Sequence, residues 1–514
     1  MSYAVVSIRT EPMTTLAGLD DQNDGSADIT QQGADRYWLA AVFLFLLATR
    51  LCHVGILWPE DTLPIAAAAQ VKSGAMLYRD AWFDKPPLLA LAHLLWGAYD
   101  GWPIRLGGAV YTWLCCALAL LIARDQWGPR AGQFAAISLA FFLTFDTPAA
   151  VHAMAADLLM LAPHLAAVFL ALRGRPFAAG FAAGVAFGFN AKGLFVLAAC
   201  ALFAMRENLL SLSPFQMARW LSLAAGFIVP NLVLAGWLWG AGAWPDYVEQ
   251  VWRWPRIYAA GTFVAHPLLE GLRRSANWAG FHLAILIPAG YALRSLVSER
   301  WKWVAWIVLS LAAIGLGLRF FPRYYFQLLV PAVVLAGAGL SALPRRKLAL
   351  LALLAVIPLV RFGPRYLSLA HDLIAGAPRA WADVVMDQDS REAARLVREF
   401  AKPGDTLFVW GFRPELFVYT GLKAGTPFLE SQPLTGVAAD RHLFDSTSIM
   451  PERAGENRKR LIATSPAFVC EGLGTFNPAL AISAYPDLSG WMSRYRLRAR
   501  TRYTLIYERI ATAP

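Results

Sequence analysis

The chain has 514 residues, of which 57% are hydrophobic and only 16% charged, with a formal net charge of +11, and its mean hydropathy is +0.45. A soluble globular domain carries about 25% charged residues, so this chain holds more apolar sequence than a water-facing surface could cover, which argues against a soluble enzyme. The basic balance points to anionic lipid headgroups or phosphorylated lipids rather than nucleic acid, because no basic, aromatic-interleaved soluble module is present.

Residues 1–36 are polar, carry Asp20, Asp21, Asp24 and Asp28, and show no periodicity. They are expected to form a disordered cytoplasmic tail, with no signal-peptide pattern ahead of the first span. A span needs roughly 20 mostly apolar residues, and the first such block is Tyr37–Leu57, opened by the interfacial pair Tyr37 and Trp38. Further blocks run near 104–123, 131–145, 149–172, 221–241, 278–293, 303–318, 325–343 and 348–360. The stretch 177–205 is too long for one span and is interrupted at Asn190-Ala191-Lys192-Gly193. A Lys in mid-bilayer is costly, so two short helices meeting at a polar tip are expected there. The segment 88–99 is too short to span and should lie at the interface or re-enter.

The reading is thus an α-helical polytopic membrane protein with about eleven transmembrane helices over residues 37–362, followed by a soluble domain over 363–514. Arg124, Arg130, Arg173, Arg175, Arg206, Arg219, Arg294 to Lys302 and Arg345 to Lys347 fall on one side. The positive-inside rule makes that side cytoplasmic, so the N-terminus is inside and the C-terminal domain extracytoplasmic. Lys72, Arg79, Lys85, Arg105, Arg253, Arg256, Arg273, Arg274, Arg319 and Arg323 land outside against the rule. Either the topology differs or the outer face holds an anion.

The first outer loop reads Trp58-Pro59-Glu60-Asp61-Thr62, an Ala-rich helical run, Gly74, Tyr78-Arg79-Asp80 and Asp84-Lys85-Pro86-Pro87-Leu88. Carboxylates just beyond a span can have raised pKa values, which suits a general base. They also suit a helix start, where acids meet the positive end of the macrodipole. Lys85 before two prolines reads as a phosphate ligand on a rigid backbone or as a simple helix start. The second outer loop, 242–277, carries Trp244, Trp252, Trp254 and Tyr258 among Arg253 and Arg256. These are interfacial belt residues or a lid over lipid or acceptor.

From about Gly363 the chain changes character. Ala393, Leu396, Val397 and Phe400 share one helix face, Pro403-Gly404-Asp405 is a turn, and Thr406–Trp410, Ala467–Cys470 and Tyr503–Tyr507 read as strands. A small α/β or α+β domain is expected. Of the five cysteines, Cys52, Cys115, Cys116 and Cys200 sit in or beside apolar blocks, and Cys470 falls in the outer domain as the one exposed thiol. No metal spacing or disulfide framework is present.

The order of an acidic pair, a helix, Gly74, Tyr78-Arg79-Asp80 and Lys85-Pro86-Pro87-Leu88 resembles the first periplasmic loop of GT-C glycosyltransferases. The resemblance is to the group containing the protein O-mannosyltransferases and the lipid A aminoarabinose transferases (glycosyltransferase family 39-like). Ala155-Ala156-Asp157-Leu158, the glycine-rich run from Gly184 to Lys192-Gly193, and Pro322-Arg323-Tyr324-Tyr325-Phe326 extend it over roughly residues 37–343. The family usually has Asp before Glu, whereas here Glu60 precedes Asp61.

The resemblance implies an inverting transferase that moves a sugar from a polyprenyl phosphate to a lipid, glycan or protein acceptor at the outer face of the cytoplasmic membrane. Glu60 and Asp61 would hold the catalytic acid positions. Lys85, Arg79, Arg105, Lys192, Arg256 and Arg323 would be phosphate ligands, with Asp157, Tyr78 and Asp84 as further candidates. A divalent metal, if used, would take Asp61, Asp157 or His152. The alternatives are a lipid or sugar transporter or flippase, which would also use charges in broken helices, and an inactive descendant of the transferase fold.

Overall fold

The computed structural model describes residues 21–510, apart from His53, Trp58 and the segments 147–152, 206–212, 261–265 and 377–381. Side chains are described from Tyr37 onward and at Arg36, those of Ala260, Ala382 and Asp383 excepted. Residues 1–20 of the expected tail, Trp58, His152 and Arg206 lie outside the described residues.

Helix α1 spans Asp21–Leu51, starting well before the expected Tyr37. No proline lies between Asp21 and Leu51 to interrupt the hydrogen-bond ladder, so the helix runs on through polar sequence. Next come α2 (Pro59–Lys72) and α3 (Pro87–His93), each opened by proline at its start, and a 3₁₀ turn at Leu94–Trp96. None of these is long enough to span, as expected for the first loop. Then follow α4 (Trp102–Trp127), α5 (Pro129–Phe142), α6 (Ala156–Leu159) and α7 (Leu161–Leu172). Helices α8 (Pro176–Phe189) and α9 (Gly193–Phe203) meet at Asn190–Lys192, the polar break read from the sequence. Helix α10 covers Pro214–Gly240.

The second loop is mostly helical. It contains α11 (Trp244–Tyr247), a π-helical stretch at Val248–Arg253 and α12 (Trp254–Ala260). Helices α13 (Pro267–Phe281), α14 (Leu283–Ser295) and α15 (Arg300–Gly315) follow, then a 3₁₀ turn at Pro322–Tyr325, α16 (Phe326–Ala342) and α17 (Arg345–Ala375). Among the described residues, four helical stretches are long and apolar enough to cross a membrane: 102–127, 214–240, 322–342 and 345–375.

Helix α16 is the centre of the bundle, buried on all sides from Phe326 to Leu340 and packed on α5 and α14. Small residues allow these backbones to touch: a side chain at Gly339 would lie 2.0 Å from Pro288 O, and one at Gly337 would lie 2.4 Å from Ala131 O. Helices α8 and α10 meet in the same way. A side chain at Gly180 would lie 1.9 Å from Leu223 O, and one at Gly226 would lie 2.0 Å from Phe177 O.

The compositional change at Gly363 does not end a helix, because α17 continues to Ala375 with Pro358 and Pro364 inside it. Neighbouring helices can compensate for proline in a membrane helix, so the proline pair is not a stop. The C-terminal domain then opens with α18 (Ala382–Phe400), which buries Ala393, Ala394 and Val397. In order come β1 (Thr406–Trp410), α19 (Glu415–Thr420), β2 (Lys423–Ala424), α20 (Gln432–Thr435), α21 (Pro451–Ile462), β3 (Phe468–Glu471), α22 (Ser489–Met492), β4 (Tyr495–Arg500) and β5 (Leu505–Arg509). The sheet order is β2-β1-β3-β5-β4. β1 runs parallel to β2 and β3, and β5 antiparallel to β3 and β4. Cys470 is fully buried in β3 and is not the exposed thiol expected from the sequence. It lies on the central part of the sheet, where both faces are covered.

This domain is fastened to the helical part at several points. Leu57 N donates to Asp387 at 3.2 Å, Arg391 pairs with Asp100 at 3.0 Å, and Ala424 N donates to Gln70 Oε1 at 2.8 Å. Trp82, Trp254 and Phe428 form one buried aromatic cluster, with Trp82 edge-on to Trp254 at 5.4 Å. Trp254 is therefore an inter-domain anchor and not a membrane-belt residue; the C-terminal domain covers it.

Candidate functional site

Glu60 and Asp61 are adjacent in sequence but face different partners. Successive helical residues point about 100° apart, and in the first turn of α2 this sends the two carboxylates to separate helices. Asp61 is fully buried. It accepts a hydrogen bond from Met154 N at 2.5 Å and one from Arg105 Nη1 at 3.3 Å. Arg105, on α4, is buried too and gives a further hydrogen bond to Ile56 O at 2.5 Å. This set fixes the start of α2 against α4 and the 154 segment.

Glu60 is only partly buried and pairs with Arg323 of the 3₁₀ turn. Arg323 Nε also lies 3.4 Å from Asp157 Oδ2. The other oxygen of Asp157 is 3.0 Å from Lys192 Nζ and 3.2 Å from Asn190 Nδ2. Lys192 sits over the Tyr324 ring, 3.2 Å from its centre. Four sequence candidates from four separate segments, Glu60, Asp157, Lys192 and Arg323, thus meet in one cluster at one end of the bundle.

Local backbone explains the aim of Arg323. Pro322 starts the 3₁₀ turn. Just before it, Leu318 and Phe320 adopt left-handed φ values of 54° and 48°, conformations that cost energy for non-glycine residues and persist where surroundings enforce them. The enforcement is visible around Arg319, which is buried between them. It pairs with Asp440 of the C-terminal domain and donates to Tyr258 O at 2.9 Å, while Arg274 donates to its carbonyl at 2.9 Å.

Tyr78, Arg79, Asp84 and Lys85 form a second group. Tyr78 is buried with a left-handed φ of 72°; its hydroxyl donates to Lys85 O at 2.8 Å, and its carbonyl accepts from Gln250 Nε2 at 2.8 Å. The strand of chain after it is held on both sides. Trp82 N donates to Pro427 O at 2.6 Å, and Phe83 N donates to Gln250 Oε1 at 2.8 Å. Lys85 Nζ is 2.7 Å from Asp84 and partly exposed. Beside them lies Glu430 of the C-terminal domain, a buried acid whose pKa is pushed well above the ordinary value by burial and then by Asp84, with Lys85 opposing. Arg79 is exposed and pairs with Asp80 at 2.9 Å, also reaching Ala241 O at 3.0 Å. Arg256 is exposed on α12.

Sequence reading missed Gln250, Glu430 and the Arg319–Asp440 pair. Gln250 left a faint signal as a polar residue inside an aromatic run, whereas Glu430 and Asp440 have none. Among the described residues no group of three His, Cys, Asp or Glu side chains is placed to hold a metal ion. Of the three residues that could supply ligands, Asp61 and Asp157 face cations and amide donors, and His152 lies outside the described residues.

No protein-family model and no curated protein matches the chain. Solved structures do match its fold, and two of them show the likeness most fully. ArnT from Cupriavidus metallidurans bound to undecaprenyl phosphate superposes with a TM-score of 0.59, at 15% identity over 93% of this chain and 98% of that one. The apo state of the same protein gives 0.57, again at 15% identity with 93% and 98% covered. The GT-C fold expected from the loop motifs is the fold of this chain.

Proposed function

We propose that this chain is a membrane glycosyltransferase that takes a sugar from a polyprenyl-phosphate donor and passes it to an acceptor hydroxyl or amine at the outer face of the cytoplasmic membrane. The observation that carries this reading is the convergence of Glu60, Asp157, Lys192 and Arg323 at one end of a helical bundle of the ArnT fold. The ArnT structure with undecaprenyl phosphate supports the donor class.

In this mechanism Glu60 accepts the acceptor's proton as the new bond to the sugar's anomeric carbon forms. The bond from that carbon to the phosphate oxygen breaks, and its electron pair leaves on the phosphate. The leaving phosphate gains charge, so fixed cations lower the transition state more than the ground state. Arg323, Lys192 and Lys85 are assigned that task. Asp157 holds Lys192 and Arg323 in place before donor arrives. Arg105 is assigned to Asp61 and the α2 start, not to the phosphate. Single displacement from the opposite face inverts the anomeric centre. The N-terminus is read as cytoplasmic and the C-terminal domain as extracytoplasmic.

The test has two parts. Native mass spectrometry of the purified full chain with undecaprenyl phosphate should show a one-to-one complex that is weakened in Lys192→Ala. Mass spectrometry of surface lipids and glycans should show a sugar modification in cells that make the chain, absent from cells making Glu60→Gln. Binding without any modification would identify a carrier or inactive scaffold, and no binding would remove the donor assignment.

A further inference from the structure

Strand β4 closes the C-terminal sheet at the edge away from its attachment to the helical part. The opposite edge strand, β2, is held to α2, where Gln70 accepts from Ala424 N at 2.8 Å and donates to Leu422 O at 3.4 Å. Three strands lie between the two edges in the order β2-β1-β3-β5-β4, which sets β4 roughly 19 Å across the sheet from β2. Among the described residues no further strand pairs outward of β4, so its outer backbone groups are open.

The chemistry of that edge is one-sided. Residues 488–514 hold six arginines, no lysine and a single acid, Glu508. All six, Arg494, Arg496, Arg498, Arg500, Arg502 and Arg509, are exposed. They flank the strand on both sides. Arg496 and Arg498 share Glu508 at 2.9 and 3.6 Å, with Arg498 over the Phe400 ring of α18 at 4.4 Å. Arg494 and Arg509 reach instead toward the end of α21 and the residues after it, donating to Ile462 O at 3.1 Å and Ser465 O at 2.6 Å. Among the described residues no other carboxylate pairs with any of the six. A lysine or a proline is enough to keep an edge from pairing, whereas six clustered arginines repel one another and weaken the strand they line. An anion lying along the edge would remove that repulsion. The planar guanidinium fork matches a phosphate with two parallel hydrogen bonds, which lysine cannot do.

We propose that the β4 edge binds a linear polymer of sugar or polyol phosphates, laid along the strand with its phosphates on the arginine forks. Nucleic acid fits less well, because single strands need aromatic faces on which bases stack. Here Tyr495 is buried and Tyr503 already stacks on Phe476 at 5.1 Å. A lipid headgroup layer fits less well too, since lipid surrounds the helices and β4 is the edge of the sheet furthest from its attachment to α2. This inference stands independently of the transferase reading.

The test is fluorescence anisotropy of labelled poly(glycerol phosphate) with the full chain in phosphatidylcholine nanodiscs. Binding should weaken as salt rises and fall about tenfold in the double variant Arg496→Gln, Arg500→Gln. Glu508 keeps its pairing with Arg498 in that variant, so the strand holds its fold. The control Lys423→Gln, Lys459→Gln removes the same charge from exposed positions on β2 and α21 and should change binding by about twofold at most. No binding by the parent chain, or equal losses in the two double variants, overturns the proposal. So does edge-dependent binding of oligothymidylate or poly-L-glutamate as tight as that of the phosphate polymer. Slower hydrogen exchange over Tyr495–Arg500 in discs containing phosphatidylglycerol, with no polymer present, also overturns it, because the leaflet would then cover the edge.

Discussion

Lys192 lies 3.2 Å from the centre of the Tyr324 ring while its ammonium is 3.0 Å from Asp157, so one cation is shared between a carboxylate and an aromatic face. Both Lys192 and Asp157 are nearly buried. Removing one partner of a buried pair leaves an uncompensated charge, which costs about 3–5 kcal/mol. Asp157→Ala should therefore lower the thermal midpoint in detergent markedly. Asp157→Ala combined with Lys192→Met should recover part of that loss, because neither charge is then stranded. Strictly additive losses would show that the two residues are not coupled.

The acidic pair should divide by kind of effect. Glu60→Gln keeps size and removes the proton acceptor, so turnover should fall by roughly 10²–10⁴-fold with little change in thermal midpoint. Asp61→Asn should instead lower the midpoint, because it weakens the hold on buried Arg105. A variant Glu60→Gln with parental turnover would take the base role away from it.

Lys85 is paired with Asp84 before any donor is bound. Lys85→Ala should weaken undecaprenyl phosphate binding, and Asp84→Asn should tighten it by about two- to fivefold, since an exposed pair of this kind competes only modestly. Titration followed by native mass spectrometry reads both. If Asp84→Asn also weakens binding, Asp84 positions Lys85 and does not compete for it.

Glu430 provides a pH signature. Its folded-state pKa is raised by burial, then by Asp84, against the opposing Lys85. A raised acid binds its proton more tightly in the folded chain. Its contribution is therefore complete below the unfolded value and is lost as pH climbs through the folded one. Glu430→Gln mimics the protonated form, so it should raise the thermal midpoint at pH 8 and leave it nearly unchanged at pH 4. A stabilisation of the same size at both values would point to packing instead of titration.

Trp254 should matter for how the two parts hold together. Trp254→Ala removes a buried indole from the cluster with Trp82 and Phe428, at a cost of about 3–5 kcal/mol. Hydrogen exchange should quicken at Trp82–Asp84 and near Pro427–Glu430 while the β1–β3 core stays protected. Unchanged exchange at Trp82 would show that the strap is held by its backbone bonds alone.

The features legible in the sequence were those with local causes. The acidic pair marked the start of α2 and proline that of α3, and the cost of a lysine in lipid placed the break between α8 and α9. The face of α18 followed from spacing. Features set by distant partners were hidden. Asp61 meets Met154 N across 93 residues and Glu60 meets Arg323 from a late turn, so nothing near positions 60 and 61 tells which acid is buried. Trp254 reads as an interfacial residue until the C-terminal domain covers it. Strand β4 escaped notice because Tyr495–Arg500 alternates toward basic side chains on an exposed edge, a pattern that protects an edge from pairing and hides it from a hydrophobic reading.

The glycine contact between α8 and α10 has a mechanical consequence. At Gly180 and Gly226 the two backbones touch with no side chain between them, so a side chain added at either would push the helices apart there and tilt α8 as a rod about that contact as a pivot. Asn190 at the end of α8 lies ten residues beyond Gly180, roughly 15 Å along the axis, and Lys192 rides just past it. A methyl wedged in at Gly180 would tip the rod, and the lever arm would magnify that tilt at its far end. A few degrees at the pivot is enough to carry the Lys192 nitrogen out of reach of Asp157, although no atom near the cluster has been altered.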